Sequence, residues 1–398
     1  MALFLDTRFL LRKLKDLRCL TPKRTRVKDK WAATRPKYPP TRLALHYFDT
    51  TYKVQLGQLW PSVRVAMLSE KKYGALLNNF SQSDVLLDLQ AQGCRDFITT
   101  RDAQTYMEQN LEVGTVEESS HVFMTKSDAG DQQLSSPQLS TNIKCLVFPR
   151  GDVTRFKPAR PDIHGLLGYY LMDAASVLPC LALDVQDGHT VLDLCGAPGG
   201  KALTLLQTQS IRFLCVNDIS ASRRLRLKKV LHSYIPKQFL KGGNLRITSF
   251  DGTTWEEIES KSFDRVLVDV PCTTDRHSLM EDDNNIFSKN RVSERRRLPQ
   301  LQLALLLAGI QAACPGGEIV YSTCTLSQSQ NQSVVEQAIY QAREDYSIRL
   351  EVADLRPLTQ MFRNTFHFAP DLSLGEMVIP HLAANFGPIY MCKLKRLA

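Results

Sequence analysis

The chain has 398 residues, 43% hydrophobic and 23% charged, enough to bury the core of one large domain or two ordinary ones. No run of about eighteen apolar residues occurs, which excludes a hydrophobic membrane span, and ten scattered cysteines without a CxxC pair argue against a zinc site or disulfides and for a reducing compartment. The net charge of +9 is local: residues 1–42 hold thirteen Lys/Arg against three Asp, so the rest of the chain sums to about −1 and a nucleic-acid interface has to be sought in patches.

The N-terminal stretch "MALFLDTRFLLRKLKDLRCL" alternates basic and apolar groups. Leu10, Leu14 and Leu17 share one helical face, and Arg8, Arg12 and Lys15 share another. Lacking the continuous apolar segment of a secretory signal, residues 1–30 read as a mitochondrial presequence, which implies the mitochondrial matrix. Asp6 and Asp16 count against that and leave an ordinary basic helix as the alternative. Residues 31–114 carry aromatic and apolar side chains at mixed helical spacing, predicting a mostly helical extension. Residues 115–142 are polar and without period, as in a flexible linker or long loop.

A catalytic domain is expected over residues 143–398. Its "GYYLMDAASVLPCLAL" has helical periodicity up to about Pro179. Beyond it, "TVLDLC" (190–195), "RFLCVN" (212–217), "LRITSF" (245–250), "FDRVLVDV" (263–270) and "GEIVYST" (317–323) read as strands. "KALTLLQ", "SRRLRLKKVLHSYI" and "LPQLQLALLLAGIQAAC" read as the helices between them. Such alternation, with continuously apolar strands, predicts an α/β fold whose parallel sheet is covered on both faces. "YSIRLEV" (346–352) and "PIYMCKLK" (388–395) offer two further strands.

The first of these strands runs directly into "CGAPGGKALTLL". A glycine-rich turn between strand and helix lets backbone approach a ligand at the carboxyl edge of the sheet. A phosphate-binding P-loop is excluded, because Gly196 lies one residue too close to Gly200-Lys201 and Ala202 replaces the magnesium-binding hydroxyl. GxGxxG is absent, which leaves S-adenosylmethionine as the ligand class. Three carboxylates follow buried strands: Asp218, suited to ribose hydroxyls, Asp251, suited to an adenine edge, and Asp269. One such Asp is more often a helix cap; three beside a glycine turn favour a binding edge.

Two cysteines stand at the same edge, Cys272 in "DVPCTTDRH" and Cys324 in "YSTCTL". A lone free cysteine is usually core, but two at adjacent crevice positions suit covalent chemistry. Carbon 5 of a pyrimidine is a poor nucleophile. A thiolate adding at carbon 6 makes an enamine whose carbon 5 can take a sulfonium methyl, and β-elimination then releases the thiolate. An acid near ring N3 would stabilise the adduct, a role Asp269 is placed to fill. Two basic stretches could meet RNA phosphates: Lys289, Arg291, Arg295, Arg296 and Arg297 after the Cys272 loop, and Arg150, Arg155, Lys157 and Arg160 upstream. Either also suits a solvated surface.

"DLCGAPGGK", "DVPCT" and "YSTCTLSQSQN", with "FPRGDVTRF" and "YYLMDAASVLP" upstream, resemble the Sun-type RNA cytosine-5 methyltransferases over residues 145–398. Whole-chain similarity, including "KDKWAAT" and "NFGPIY", points to the branch acting on mitochondrial ribosomal RNA. The resemblance implies a Rossmann-like, seven-stranded S-adenosylmethionine-dependent methyltransferase fold with a reversed last strand. It implies that Cys324 is the attacking thiol and that Cys272 assists adduct breakdown. Gly199, Gly200, Lys201, Asp218, Arg223, Asp251 and Asp269 are implied to hold the cofactor or frame the base. Where the family commonly has Ala, this chain has Gly196, still a small residue. The implied product is 5-methylcytosine in mitochondrial small-subunit ribosomal RNA, with a role in ribosome assembly beside an mTERF-family helical-repeat partner. No metal and no membrane are implied. The alternative reading is a cofactor-binding assembly factor whose catalysis is incidental.

Overall fold

The computed structural model describes residues 38–99 and 140–397. The presequence expected at 1–30, and the linker expected at 115–142 except for its last three residues, lie outside them. The extension begins with the helix Pro40–Leu56, whose buried stripe Ala44, Phe48 and Tyr52 repeats every four residues. A second helix, Trp60–Leu68, and a third, Val85–Ala91, follow.

Between and after them the extension also contributes strands. β1 (Gly74–Leu77) and β2 (Arg95–Asp96) join β3 (Cys145–Val147) and β4 (Tyr169–Met172) in a four-stranded antiparallel sheet of order β2-β3-β1-β4. Tyr169–Met172, expected to open a helix, is thus a strand, paired with β1 from Gly74↔Met172 to Leu77↔Tyr169. Only Ala174–Val177 and Leu178–Ala182 turn helical. Four consecutive apolar residues cannot be assigned by period alone; the free edge of β1 decides. Through this sheet the extension and the later chain form one compact unit, Pro40–Ala398.

The second sheet is the expected α/β layer. β5 (Thr190–Asp193), β6 (Phe213–Asn217), β7 (Leu245–Thr248), β8 (Phe263–Asp269) and β9 (Ala313–Thr323) pair in parallel. β10 (Leu350–Val352), β11 (Glu376–Val378) and β12 (Ile389–Arg396) run antiparallel to their neighbours. The order is β10-β12-β9-β8-β5-β6-β7, with β11 added beside β12, so the expected seven strands have an eighth companion. Successive strand residues feed opposite cores: Val191, Leu267 and Val320 on one face, Leu192, Val266 and Ile319 on the other. Both faces are buried, which is why these strands are apolar without alternation. No described helix is long and apolar enough to cross a membrane.

Candidate active site at the carboxyl ends of the strands

Past Asp193, the last residue of β5, the chain turns to Gly199, which has φ +114° and precedes the helix Gly200–Leu206. L residues avoid that φ, and a Cβ on Gly199 would meet Leu227 Cδ1 at 2.8 Å, so glycine is required there. The turn lines a cavity of about 180 Å³ together with Tyr170, Asp193, Lys201 and Asp269. Lys201 Nζ lies 2.9 Å from Asp269 Oδ2, and Asp269 Oδ1 accepts from Ser322 Oγ at 2.7 Å. Burial opposes the Lys201 charge, but the adjoining Asp269 outweighs it and holds the ammonium above its ordinary pKa. The cation is therefore permanent.

The remaining expected cofactor residues stand outside this lining. Asp218 is buried beside it, accepting from Ser220 N–H at 2.9 Å and facing Arg223 Nη1 at 3.3 Å. Arg223 also donates to the Ala197 carbonyl of the glycine turn, so the two are tied to the loop. Asp251 sits farther out, where its Oδ1 accepts from the N–H and Oγ1 of Thr253 and caps a short turn. That is the local role a lone Asp after a strand commonly has.

Asp193 escaped the sequence reading. It is fully buried, lines the cavity, and neither carboxylate oxygen has a hydrogen-bond partner among the described residues. Burial, reinforced by Asp269, pushes its pKa to about 8. A methyl on Gly196 would meet Asp193 Oδ2 at 2.6 Å and Val216 Cγ1 at 2.4 Å, so alanine at that position requires one of them to move. The only sequence signal for Asp193 was its place at the end of β5. Its carboxyl binds a proton more tightly folded than unfolded, where its pKa is about 4. Its contribution to stability is full below about pH 4 and is lost as pH rises through about 8. Without cofactor, Asp193→Asn is therefore expected to gain stability over the wild type progressively across that window. Denaturant titrations at several pH values check this, and parallel curves would refute it.

Cys272 follows β8 by three residues and Cys324 follows β9 by one. Because β8 and β9 are neighbours, the two sulfurs lie 3.3 Å apart. The Cys324 backbone N–H donates to Cys272 Sγ at 3.4 Å, and the two thiols hydrogen-bond to each other. That thiol hydrogen bond holds Cys272 below the ordinary thiol pKa and Cys324 well above it, with Asp269 adding to the rise and Lys201 opposing it. Cys324 also lines a second cavity of about 660 Å³, whereas Cys272 is buried behind it. Loss of the Cys324 proton would leave a thiolate on the accessible sulfur. Ser176 lines both this cavity and the one at the glycine turn, so the two compartments adjoin there.

The thiol loops are braced from behind by the first helix. Tyr52 Oη donates to Asp275 Oδ2 at 2.7 Å and lies 3.2 Å from Thr325 Oγ1. Gln55 Nε2 donates to the Leu326 carbonyl at 2.6 Å. Asp275 is fully buried, accepts also from Thr273 Oγ1 at 2.6 Å and Leu326 N–H at 2.8 Å, and donates its own N–H to the Cys324 carbonyl.

A parallel sheet with a reversed terminal strand, a glycine turn after its first strand and an adjoining thiol cavity define a methyltransferase of the Rossmann-like class. The family profile of the 16S rRNA methyltransferases RsmB/F matches residues 180–394. The 5-cytosine rRNA methyltransferase NSUN4 of Xenopus laevis is 50% identical over 402 residues, with 98% of each chain covered. That of Bos taurus is 51% identical over 382 residues, with 94% of each covered. NSun6 from Pyrococcus horikoshii, solved with SFG, shares the fold at a TM-score of 0.56 and 15% identity, covering 91% of this chain and 98% of that one. The chain belongs to the RsmB/F family of RNA cytosine-5 methyltransferases and is an S-adenosylmethionine-dependent enzyme. The residues lining its first cavity suit part of that cofactor, for a buried Asp without a partner can meet an ammonium group and the glycine turn leaves backbone room.

Proposed function

We propose that this enzyme forms 5-methylcytosine in mitochondrial small-subunit ribosomal RNA, in the matrix, through a cysteine adduct, and acts in ribosome assembly beside an mTERF-family helical-repeat partner. The reading rests above all on one observation, the cavity-facing sulfur of Cys324 set 3.3 Å from a second thiol. The rRNA methyltransferase relatives matched over almost the whole chain support the substrate.

In this reading Cys324 gives up its proton, and the thiolate bonds to carbon 6 of a cytosine taken out of its helix. Asp269, held by Lys201 and Ser322, steadies the ring at N3. S-adenosylmethionine supplies an electrophilic methyl, which carbon 5 gains as S-adenosylhomocysteine leaves. Loss of the carbon-5 proton to a base then breaks the bond between sulfur and carbon 6. That returns the thiolate to Cys324 and frees the methylated base. Cys272 assists this last stage. Gly199, Gly200, Lys201, Asp218, Arg223 and Asp251 hold the cofactor, with Asp193 toward its ammonium.

Complementation tests the substrate and separates methylation from assembly. Cells lacking the protein are expected to lose one 5-methylcytosine from mitochondrial small-subunit rRNA, read by bisulfite sequencing, and wild type restores it. If Cys324→Ala restores assembled ribosomes without the mark, the protein is an assembly factor whose catalysis is incidental. If the mark persists in the depleted cells, the assigned substrate is wrong.

A further inference from the structure

Three depressions adjoin beside the thiols. The Cys324 cavity shares Glu70, Lys71 and Tyr73 with a second of about 380 Å³, which shares Lys72 and Phe148 with a third of about 720 Å³. They form one groove leading from the sulfur across the antiparallel sheet to Arg95, on its edge strand β2. Beyond the thiol cavity the groove is lined by the cations Lys71, Lys72, Arg95, Arg150 and Arg155 against one carboxylate, Glu70. Glu70 pairs with Arg155 on the open surface, where exchange for another anion costs little. Arg95 and Arg150 form no ion pair among the described residues, and Arg150 Nη1 donates to the Arg363 carbonyl at 3.2 Å.

The groove is preformed. Lys72 Nζ donates to the carbonyls of Phe148 at 3.1 Å and Asp152 at 2.8 Å. Gly151 N–H donates to the Ala383 carbonyl at 2.8 Å, and Asn385 Nδ2 holds the Ala66 and Glu70 carbonyls at 2.8 Å each. At the lip shared with Cys324, Tyr73 is 41% exposed as a residue, and Lys71 Nζ lies 4.8 Å from its ring centroid. A half-exposed aromatic ring beside cations is what unpaired bases and their phosphates bind. The other basic stretch is differently occupied. Arg291 is bound to Glu294 at 2.6 Å, Arg295 lies 4.6 Å over the Phe287 ring, and neither lines these depressions.

We propose that this groove carries the single-stranded RNA flanking the target cytosine, Tyr73 stacking a neighbouring base and Arg95 and Arg150 meeting phosphates. The inference rests on RNA as substrate, and single-stranded form is assigned because an exposed aromatic ring at the lip can stack only an unpaired base. Binding of a fluorescent single-stranded RNA to the full-length protein, followed by anisotropy across a salt series, tests it. Arg95→Gln with Arg150→Gln is expected to weaken binding about tenfold and to flatten the salt slope by about 1.4, near 0.7 for each lost phosphate contact. Tyr73→Ala should weaken it about tenfold with the slope kept. Lys289→Gln with Arg297→Gln should match the wild type.

If the groove variants bind RNA with wild-type affinity and slope, the proposal fails, even should they release a protein partner. It fails equally if only the Lys289 and Arg297 pair weakens. A wild-type protein that moves no methyl group onto RNA would instead overturn the substrate reading beneath it.

Discussion

Cys324→Ala is expected to lower methyl transfer to RNA by about 10⁴-fold or more and to form no denaturation-resistant protein–RNA band, because no other sulfur in the pair faces the cavity. Cys272→Ala should also lose turnover but accumulate that band, since the bond to carbon 6 still forms and its release is impaired. The two variants thus differ in which half of the reaction stops. Incubation with S-adenosylmethionine and RNA, followed by denaturing electrophoresis, reads both. A band from Cys324→Ala would reverse the roles. A thiolate titration by ultraviolet absorbance gives an independent check. Cys272 is held acidic chiefly by the thiol of Cys324. In Cys324→Ala that donor is gone, so the Cys272 titration should move to higher pH.

Asp275→Ala carries the largest expected cost in stability. It leaves Tyr52 Oη, Thr273 Oγ1 and the Leu326 N–H without their acceptor in a site closed to water. A buried donor left without a partner costs roughly 1–3 kcal/mol. Partial relaxation toward Thr325 brings the sum to about 4 kcal/mol, a fall in Tm of roughly 8 °C. Tyr52→Phe removes one donor only, at a cost of about 1 kcal/mol. It lowers kcat more than the KM for S-adenosylmethionine, because it slackens the two thiol loops and leaves the glycine turn alone. Calorimetry and steady-state kinetics on the two variants separate these effects. Equal losses in both kinetic constants would mean that Tyr52 serves general stability only.

The strands β5 to β9 were legible because buried parallel strands are continuously apolar. β11 was not, being three residues long and defined only by its pairing with β12. The thiol pair was legible as two motifs, and its 3.3 Å separation follows from β8 lying beside β9. Asp193 and Ser176 were passed over because one ends a strand and the other sits in an apolar turn. Their importance comes from the cavities they line.

Local pattern by itself made the α/β class, the glycine turn and the two thiol motifs legible. Each of those lies within a short stretch of chain, whose spacing carries a physical signature. Tertiary structure alone decided that residues 40–99 belong to the catalytic body, that Tyr52 braces loops 223 and 273 residues away, and which basic stretch lines the depressions adjoining the thiol cavity. It also buried Asp193 without a hydrogen-bond partner among the described residues and held Cys272 below, and Cys324 above, the ordinary thiol pKa. Those outcomes rest on burial and on contacts between distant segments. Neither leaves a period in the sequence, because such contacts are set by how the layers pack and not by which residues are neighbours in the chain.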